Sequence, residues 1–419
     1  MLQRIQSRNR WKSIFKPWEE SDPWLFIACI GLTIFGGIMI RSVEMNQASI
    51  DWWRHWVTGA VGLFLAIIIS RCRYDILLQW KWPIYIIINL SLIAVRFIGT
   101  TGLGAQRWIN IGGFYLQPSE FAKVGMIITL AALLHDKTVP TVRDMLKMLA
   151  VMALPWGLIF AEPNLGTSLV FGAITMGMFY WGNVNPGWLI LLFSPLISVL
   201  LNNWSTPIWI AWVVVAGIIA WRSLPWPWLG TFAAVLVNVV SGHVGHLFWG
   251  VLQDYQKMRL TGFLNPEKDP LGSGYHLIQS RIAIGAGELK GRGLFQGTQT
   301  QLNFIPEQHT DFIFSAIGEE LGFIGCIAVL LVFWIICFRL VVIAQTANDN
   351  FGSLLAIGVL SMLIFQVFVN IGMNIGLAPV TGIPLPFLSY GNASLLSNFL
   401  GLGLVEAVAS QRQRKKRWN

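Results

Sequence analysis

Apolar stretches recur through almost the whole chain, at residues 24–40, 55–70, 82–98, 118–134, 145–161, 166–182, 186–201, 207–221, 228–250, 312–341, 353–375 and 385–409. Most approach or exceed the ~20 helical residues that a ~30 Å hydrocarbon core requires. Short polar segments separate them, so the pattern predicts twelve membrane-crossing helices and an all-α polytopic fold. The pair 186–201 and 207–221 stands apart, because Pro195 interrupts the first and only Asn202 to Thr206 lie between them. A tight two-span hairpin is expected there, with a re-entrant pair as the alternative. Residues 251–311 break the rhythm: they are polar, Gly-rich and far longer than a connector needs to be, and loops of that length commonly carry function. Inside that loop, residues 275–284 alternate polar and apolar positions at helical spacing and predict an interfacial helix. The expected organisation is a tail over 1–23, transmembrane helices over 24–250, an extracytoplasmic loop over 251–311, transmembrane helices over 312–409 and a basic tail over 410–419.

Composition narrows the class. Of 419 residues, 55% are hydrophobic and 12% charged, against roughly 25% charged in soluble domains, which excludes a soluble or disordered chain. The net charge of +9 is informative through its placement. With the tail bearing Arg4, Arg8, Arg10, Lys12 and Lys16 in the cytoplasm, Arg71, Arg73, Lys81, Lys137, Arg143, Lys147, Arg222, Arg339 and the terminal Arg412, Arg414, Lys415, Lys416 and Arg417 fall on that same side. Both termini are then cytoplasmic, and residues 99–117 and 251–311 lie outside. The positive charge is a topology signal, so no nucleic-acid partner is expected, although the last run can also touch anionic lipid. Four scattered cysteines form no C-x-x-C pair, which argues against a disulfide framework or zinc site. Neither a Walker motif nor a G-x-G-x-x-G turn is present, leaving ATP and nicotinamide chemistry without an anchor.

Charged residues near the outer half of the membrane supply the candidate chemistry. Arg107-Trp108 lies in the outer loop 99–117, and Glu120 and Lys123 share a helix face at i and i+3 just beyond it. They form either a structural ion pair or a grip for a lipid-linked phosphate. Glu162-Pro-Asn164-Leu-Gly marks another outer turn, where Asn164 is either a turn former or a site residue. His276 and Ser280 share a face of the interfacial helix, with a hydrogen-bonded structural histidine as the plainer reading. Asp269-Pro270 reads locally as turn chemistry. Thr310 and Asp311 suit the cap and first turn of the next span. Glu319 and Glu320 fall eight and nine residues beyond Asp311, roughly 12 to 14 Å inside it at ~1.5 Å per residue. Acids buried so far need a function or a hydrogen-bonded partner. His243 and His246 have no acid nearby to complete a metal set and are read as structural.

Several ordered runs resemble the SEDS family of bacterial cell-wall proteins, to which RodA, FtsW and SpoVE belong. They are the run from Asp269 through Gly285, Gly297-Thr-Gln, Pro306-Glu-Gln-His-Thr-Asp-Phe-Ile-Phe, Glu319-Glu-Leu-Gly-Phe, and Asn370 through Gly391 with its Pro-Leu-Pro-Phe-Leu-Ser-Tyr-Gly ending. Gly297-Thr-Gln-Thr-Gln-Leu-Asn-Phe and Gly376-Leu-Ala-Pro-Val-Thr-Gly are more similar to the elongation branch, RodA, than to the division branch. The resemblance implies a SEDS-type helical bundle of ten spans, so the hairpin 186–221 becomes an extra two-span insertion. It implies a peptidoglycan glycosyltransferase that polymerises lipid II during elongation, with a class B penicillin-binding protein and other elongation-complex membrane proteins as partners, in the bacterial plasma membrane. It assigns Asp269 as the catalytic base. Arg107, Trp108, Glu120, Lys123, His276, Gln279, Ser280, His309 and Asp311 become substrate or pyrophosphate contacts. Glu162, Asn164, Glu319, Glu320, Ser389, Tyr390 and Gly391 take supporting roles. No cofactor is certain; a divalent cation, Mg or Mn, remains open. Three positions depart from the family pattern, with Asn164 in place of the usual Asp, and Glu288 and Asn392 each in place of a Gly. A transporter, including a lipid II flippase, is the competing class. The absence of related halves and the one-sided charge argue against it.

Overall fold

The computed structural model describes residues 22–45, 52–102, 105–111, 114–137, 140–162, 164–251, 266, 274–302 and 304–418. In chain order the elements are α1 (Pro23–Glu44), α2 (Trp52–Arg71), the short α3 (Ile76–Gln79), α4 (Lys81–Ile98), β1 (Thr100–Gly102), β2 (Ala105–Ile111), β3 (Phe114–Leu116), α5 (Pro118–His135), α6 (Val142–Ala161) and α7 (Leu165–Trp181). There follow α8 (Pro186–Trp204), α9 (Thr206–Ser223), α10 (Pro227–Val251), α11 (Tyr275–Ala286), the short α12 (Thr298–Gln301), α13 (Ile313–Gln345), α14 (Asn350–Ile375) and α15 (Asn392–Trp418). Each of the twelve expected spans is a helix. Among the described residues nine helices are long and apolar enough to cross a membrane. Of the other three, Leu165–Trp181 and Pro186–Asn202 are shorter apolar segments, and α5 carries Glu120 and Lys123.

Local sequence explains most boundaries. Asp22 caps α1 through a bond from Leu25 N, and Pro23 occupies the first turn, where a missing N–H costs nothing. Thr141 and Asp144 form a reciprocal capping box at α6. Asn164 caps α7 by accepting from Thr167 N, Asn185 caps α8, and Asp349 caps α14. Helix α14 sits at the centre, packing against α13, α7, α5, α15 and α11. The hairpin helices α8 and α9, joined at Ser205, pack with α10 into a three-helix group that meets the remaining bundle mainly through α7. A polar knot ties the group: Trp209 Nε1 donates to Ser198 Oγ at 2.7 Å, and Ser198 Oγ donates to Asn238 O at 2.6 Å. His243 stacks edge-on against Trp209, which supports its structural reading.

Four sequence expectations change. The fold is not purely helical, because residues 100–116 form a small antiparallel sheet in the order β1-β2-β3. It pairs Thr100 with Trp108 and Ile109 with Leu116; alternation at Arg107-Trp-Ile-Asn-Ile satisfies the two-residue strand period. The last span starts at Asn392 and not near 385, since Thr381 to Gly391 form a loop packed into the bundle. Its helix then runs on to Trp418, so the expected basic tail is helical. Finally, α13 starts at Ile313 with Phe312 at its cap and no side-chain cap bond. Thr310 Oγ1 instead donates to Glu307, and Asp311 is not a first-turn acid.

The most consequential irregularity lies within α13. Gly322 adopts φ 65 and ψ −163, which breaks the helix. An interrupted helix leaves backbone groups without partners, and in an apolar medium each unsatisfied group is expensive. Here residues 288–293 replace the missing bonds. Arg292 N and Gly293 N donate to the carbonyls of Glu319 and Glu320, while Phe323 N and Ile324 N donate to those of Glu288 and Leu289. The carboxylates extend the seam. Glu319 accepts from Gln299 N at 2.8 Å, Thr300 N at 2.9 Å and Thr300 Oγ1 at 2.6 Å. Glu320 accepts from Phe295 N at 3.1 Å and from the Ser42 hydroxyl of α1. The buried acids are thus hydrogen-bonded anchors for the segment entering α13. Glu288 itself has φ 46, a left-handed backbone that favours glycine.

Gly322→Ala tests this seam, because its Cβ would lie 2.3 Å from Gly291 N in a backbone region nearly restricted to glycine. The variant should lose at least about 1 to 3 kcal/mol of stability, read as a lowered thermal midpoint in detergent. An unchanged midpoint would mean that α13 can straighten without loss.

Candidate active site

Beneath the small sheet, α5, α7, α14 and the 381–394 segment enclose a cavity of about 630 Å³. Its charged floor comes from the start of α5. Pro118 opens that helix, so Glu120 and Lys123 fall in its first two turns on one face. Lys123 Nζ lies 2.7 Å from Glu120 Oε2, with both residues almost fully buried and both lining the cavity. The sequence expectation of a shared face is met, and the pair is placed where a ligand would meet it. Removing two charges from water is costly unless each is paired and hydrogen-bonded. Ser397 Oγ also donates to Glu120 O at 2.7 Å, joining α15 to this turn.

Arg107 and Trp108 reach the cavity from β2. Arg107 Nε donates to the carbonyl of Glu162 at 3.2 Å, which fixes the cation beside the end of α6. Burial pushes the Glu162 carboxyl up to about 7, opposed by the positive charges of Arg107 and Arg96. Asn164 lines the cavity; its Oδ1 caps α7, while Nδ2 donates to Ser119 Oγ at 3.4 Å. The amide joins the two helix starts by accepting from one and donating to the other.

The other side is built from two loops tied to α14. Asp311, Tyr390 and Gly391 line the cavity. The Asp311 carbonyl accepts from Asn370 Nδ2 at 2.9 Å and Asn374 Nδ2 at 3.1 Å, and Asn370 also donates to Ile383 O at 2.8 Å. Ser389 Oγ accepts from Leu385 N at 2.8 Å, closing the turn that presents Tyr390. His309 stands behind this wall, its carbonyl accepting from Tyr390 N at 2.8 Å and its ring 5.7 Å from the tyrosine ring.

Some expected contacts are not brought together. His276 stacks on Phe312 with a 12° interplanar angle, and Ser280 Oγ donates to Asn374 O at 2.8 Å. Both residues, and the half-buried Gln279 between them, lie outside the cavity lining; α11 acts here as a wedge against α13 and α14. Glu319 and Glu320 bind backbone in the seam described above. Asp269, with its neighbours 267–273, lies outside the described residues. So do Asp254, Lys257 and Arg259. Gln366, Thr381 and Ser394 line the cavity without having been expected. Gln366 had one legible signal, a polar side chain within the apolar run 353–375.

Fold and cavity together define a polytopic helical membrane protein whose polar pocket opens beneath a small sheet and carries a buried ion pair. The FtsW/RodA/SpoVE family model, described as a cell cycle protein, matches residues 23–212 and 187–414, and the chain belongs to this family. It is similar to peptidoglycan glycosyltransferase MrdB of Escherichia coli strain K12, 32% identical over 393 residues, covering 94% of each chain. It is also 33% identical over 428 residues to peptidoglycan glycosyltransferase RodA of Treponema pallidum, covering 94% of this chain and 98% of that one. A solved chain from a peptidoglycan synthase complex that coordinates polymerization and crosslinking aligns with a TM-score of 0.69 and 27% identity, over 94% of this chain and 98% of its own.

Two outcomes follow from this geometry. Lys123→Ala leaves Glu120 buried without its partner and should cost about 3 to 5 kcal/mol; Lys123→Met combined with Glu120→Gln should recover the thermal midpoint but not ligand use. Recovery of both would make the pair purely structural. For Glu162, the raised carboxyl means that its stabilising contribution is complete below the ordinary value of about 4.5 and is lost as pH rises through about 7. The thermal midpoint should therefore fall between pH 5 and 8 in the native protein, and Glu162→Gln should flatten that slope.

Proposed function

We infer that this chain is a peptidoglycan glycosyltransferase that polymerises lipid II in the elongation branch of its family. The observation that carries the reading is the buried Lys123–Glu120 pair facing a cavity that Arg107 also lines, in a chain about a third identical to enzymes of that name over nearly its full length. Two cations at one polar pocket suit a pyrophosphate. The surrounding apolar helix faces suit a polyprenyl tail entering from the side.

The reaction needs a nucleophile, a base and support for the leaving group. The 4-hydroxyl of one lipid-linked disaccharide attacks C1 of the growing chain. Its oxygen forms the new glycosidic bond, the bond from C1 to the pyrophosphate oxygen breaks, and configuration at C1 inverts. Asp269 takes the hydroxyl proton. Lys123 and Arg107 stabilise the charge developing on the departing lipid pyrophosphate. Asp269 enters by its place in the Asp-Pro-Leu-Gly-Ser-Gly-Tyr run, and its test is therefore kinetic. A divalent cation, Mg or Mn, is a variable to titrate in the assay.

A class B penicillin-binding protein is the proposed partner, supported by the synthase complex that contains the similar chain. The distribution of Lys and Arg supports cytoplasmic termini and an external cavity. The hairpin 186–221 is read as an inserted pair of spans, supported by its packing with α10 into a group that meets the bundle mainly through α7.

Asp269→Asn separates shape from charge, because the amide is nearly isosteric but is no base at neutral pH. Glycan polymerisation by the purified protein with its partner should fall about 10²- to 10⁴-fold, while lipid II binding persists. Glu267→Gln, two residues away, serves as the control. Near-native polymerisation in Asp269→Asn, or equal losses in both variants, would remove Asp269 as the base. Movement of lipid II across vesicle membranes with no glycan formed would favour transport instead.

A further inference from the structure

Helix α14 carries three side-chain amides at four-residue intervals, Gln366, Asn370 and Asn374, which places them along one face. All three are fully buried. Two have their partners within the protein. Asn370 donates to the carbonyls of Asp311 and Ile383, while Asn374 donates to the carbonyls of Asp311 and Asn370 and accepts from Ser315 N at 3.2 Å. Gln366 differs, since neither Nε2 nor Oε1 has a hydrogen-bond partner. Among the described residues, Gln308 and Asn398 also leave both amide ends unbonded, but neither lines the cavity. Gln366 does.

A buried amide without partners is costly, because desolvation of its donor and acceptor is not repaid by new bonds. Such a group persists where a ligand completes it. Depth and charge narrow what that ligand offers. Gln366 lies nine residues before the end of α14 at Ile375, about 13 Å along the axis. Lys123 lies five residues from the start of α5 at Pro118, about 7 to 8 Å along it. Arg107 lies in the sheet itself and Lys123 within about two turns of it along α5, whereas Gln366 lies more than two turns inside its own helix. An ionised phosphate can accept from Nε2 but offers no donor to Oε1, whereas a neutral group with a carbonyl and an adjacent hydroxyl satisfies both ends.

We propose that Gln366 contacts an N-acetylated sugar unit of the substrate, with Nε2 donating to the acetamido carbonyl and Oε1 accepting from a neighbouring hydroxyl. This rests on the glycosyltransferase reading of the cavity. Lys123 and Arg107 hold the anionic end, and Gln366 registers the sugar by a group whose absence it detects. Sites built around hydrogen-bonding groups discriminate strongly against analogues that lack them, because the protein's own donor and acceptor are then left empty.

The test compares the full-length native protein with Gln366→Met, a side chain of similar length and no amide. Lipid II and a 2-deoxy analogue lacking both acetamido groups are the two substrates. On lipid II the variant should lose about 10- to 100-fold in kcat/KM; on the analogue, which keeps only the hydroxyl contact, the loss should be several-fold smaller. The thermal midpoint should stay level or rise, since no bond within the protein is broken. Gln366→Asn, which withdraws the amide by one methylene, should give the same substrate-dependent loss and decides the matter if the methionine variant fails to accumulate. Equal losses on both substrates, or no loss on lipid II, overturn the proposal. If the native protein polymerises neither lipid, the activity reading fails, and equilibrium binding of the same two lipids to the native protein and variants still decides the role of Gln366.

Discussion

Backbone polar groups inside a membrane have no water to turn to, and the break in α13 shows how this constraint organises the molecule. Gly322 ends one helical segment and begins another, and the freed groups are recovered by residues 288–293. Because these bonds cannot form unless the loop lies against the break, the end of the large loop is held in register with α13. Glu319 and Glu320 then reach onward to residues 295–300 and to Ser42 of α1. With hydrogen bonds contributing about 0.5 to 1.5 kcal/mol each, the several that converge on the two carboxyl groups tie the loop firmly to the bundle.

The cavity depends on a second set of ties, all centred on α14. Asn370 and Asn374 hold the Asp311 carbonyl and the Ile383 carbonyl, bringing the segment before α13 and the segment before α15 to one wall. On the facing side, Ser397 of α15 bonds the Glu120 carbonyl, and Asn164 links the starts of α5 and α7. The polar pocket is thus surrounded by helix termini, where free donors and acceptors are available without breaking regular structure. Glu120 and Lys123 sit on one helix, which sets their separation; their placement in one cavity with Arg107 and Asp311 is tertiary.

The three-helix group formed by α8, α9 and α10 has a different character. Its internal polar knot of Ser194, Ser198, Trp209 and Asn238 gives it cohesion, while its connection to the bundle is mostly through α7. Since neither α8 nor α9 contributes to the cavity lining, the pocket is assembled without the hairpin.

The helices were legible because membrane thickness imposes a length and an apolar composition on each, so twelve runs in the sequence became twelve helices. The Glu120–Lys123 pair was legible for a similar reason, as i, i+3 spacing fixes neighbours on one helix. Asn164 as a cap and the family runs around Asp269 and Asn370 were also present in the sequence. What the sequence could not assign were relations between distant segments. His276 and Ser280 share a face whichever way α11 is turned, and only packing against Phe312 and Asn374 directs them away from the cavity. Glu319 and Glu320 read as acids in need of either a function or a partner, and the loop supplies the partner. Gln366 was an unexplained polar residue until two other amides on its face were seen to be engaged and it alone was left facing the pocket. Periodicity along one element is a local property fixed by covalent geometry, whereas the choice of hydrogen-bond partner is made among segments tens to hundreds of residues apart, and only the assembled bundle makes it.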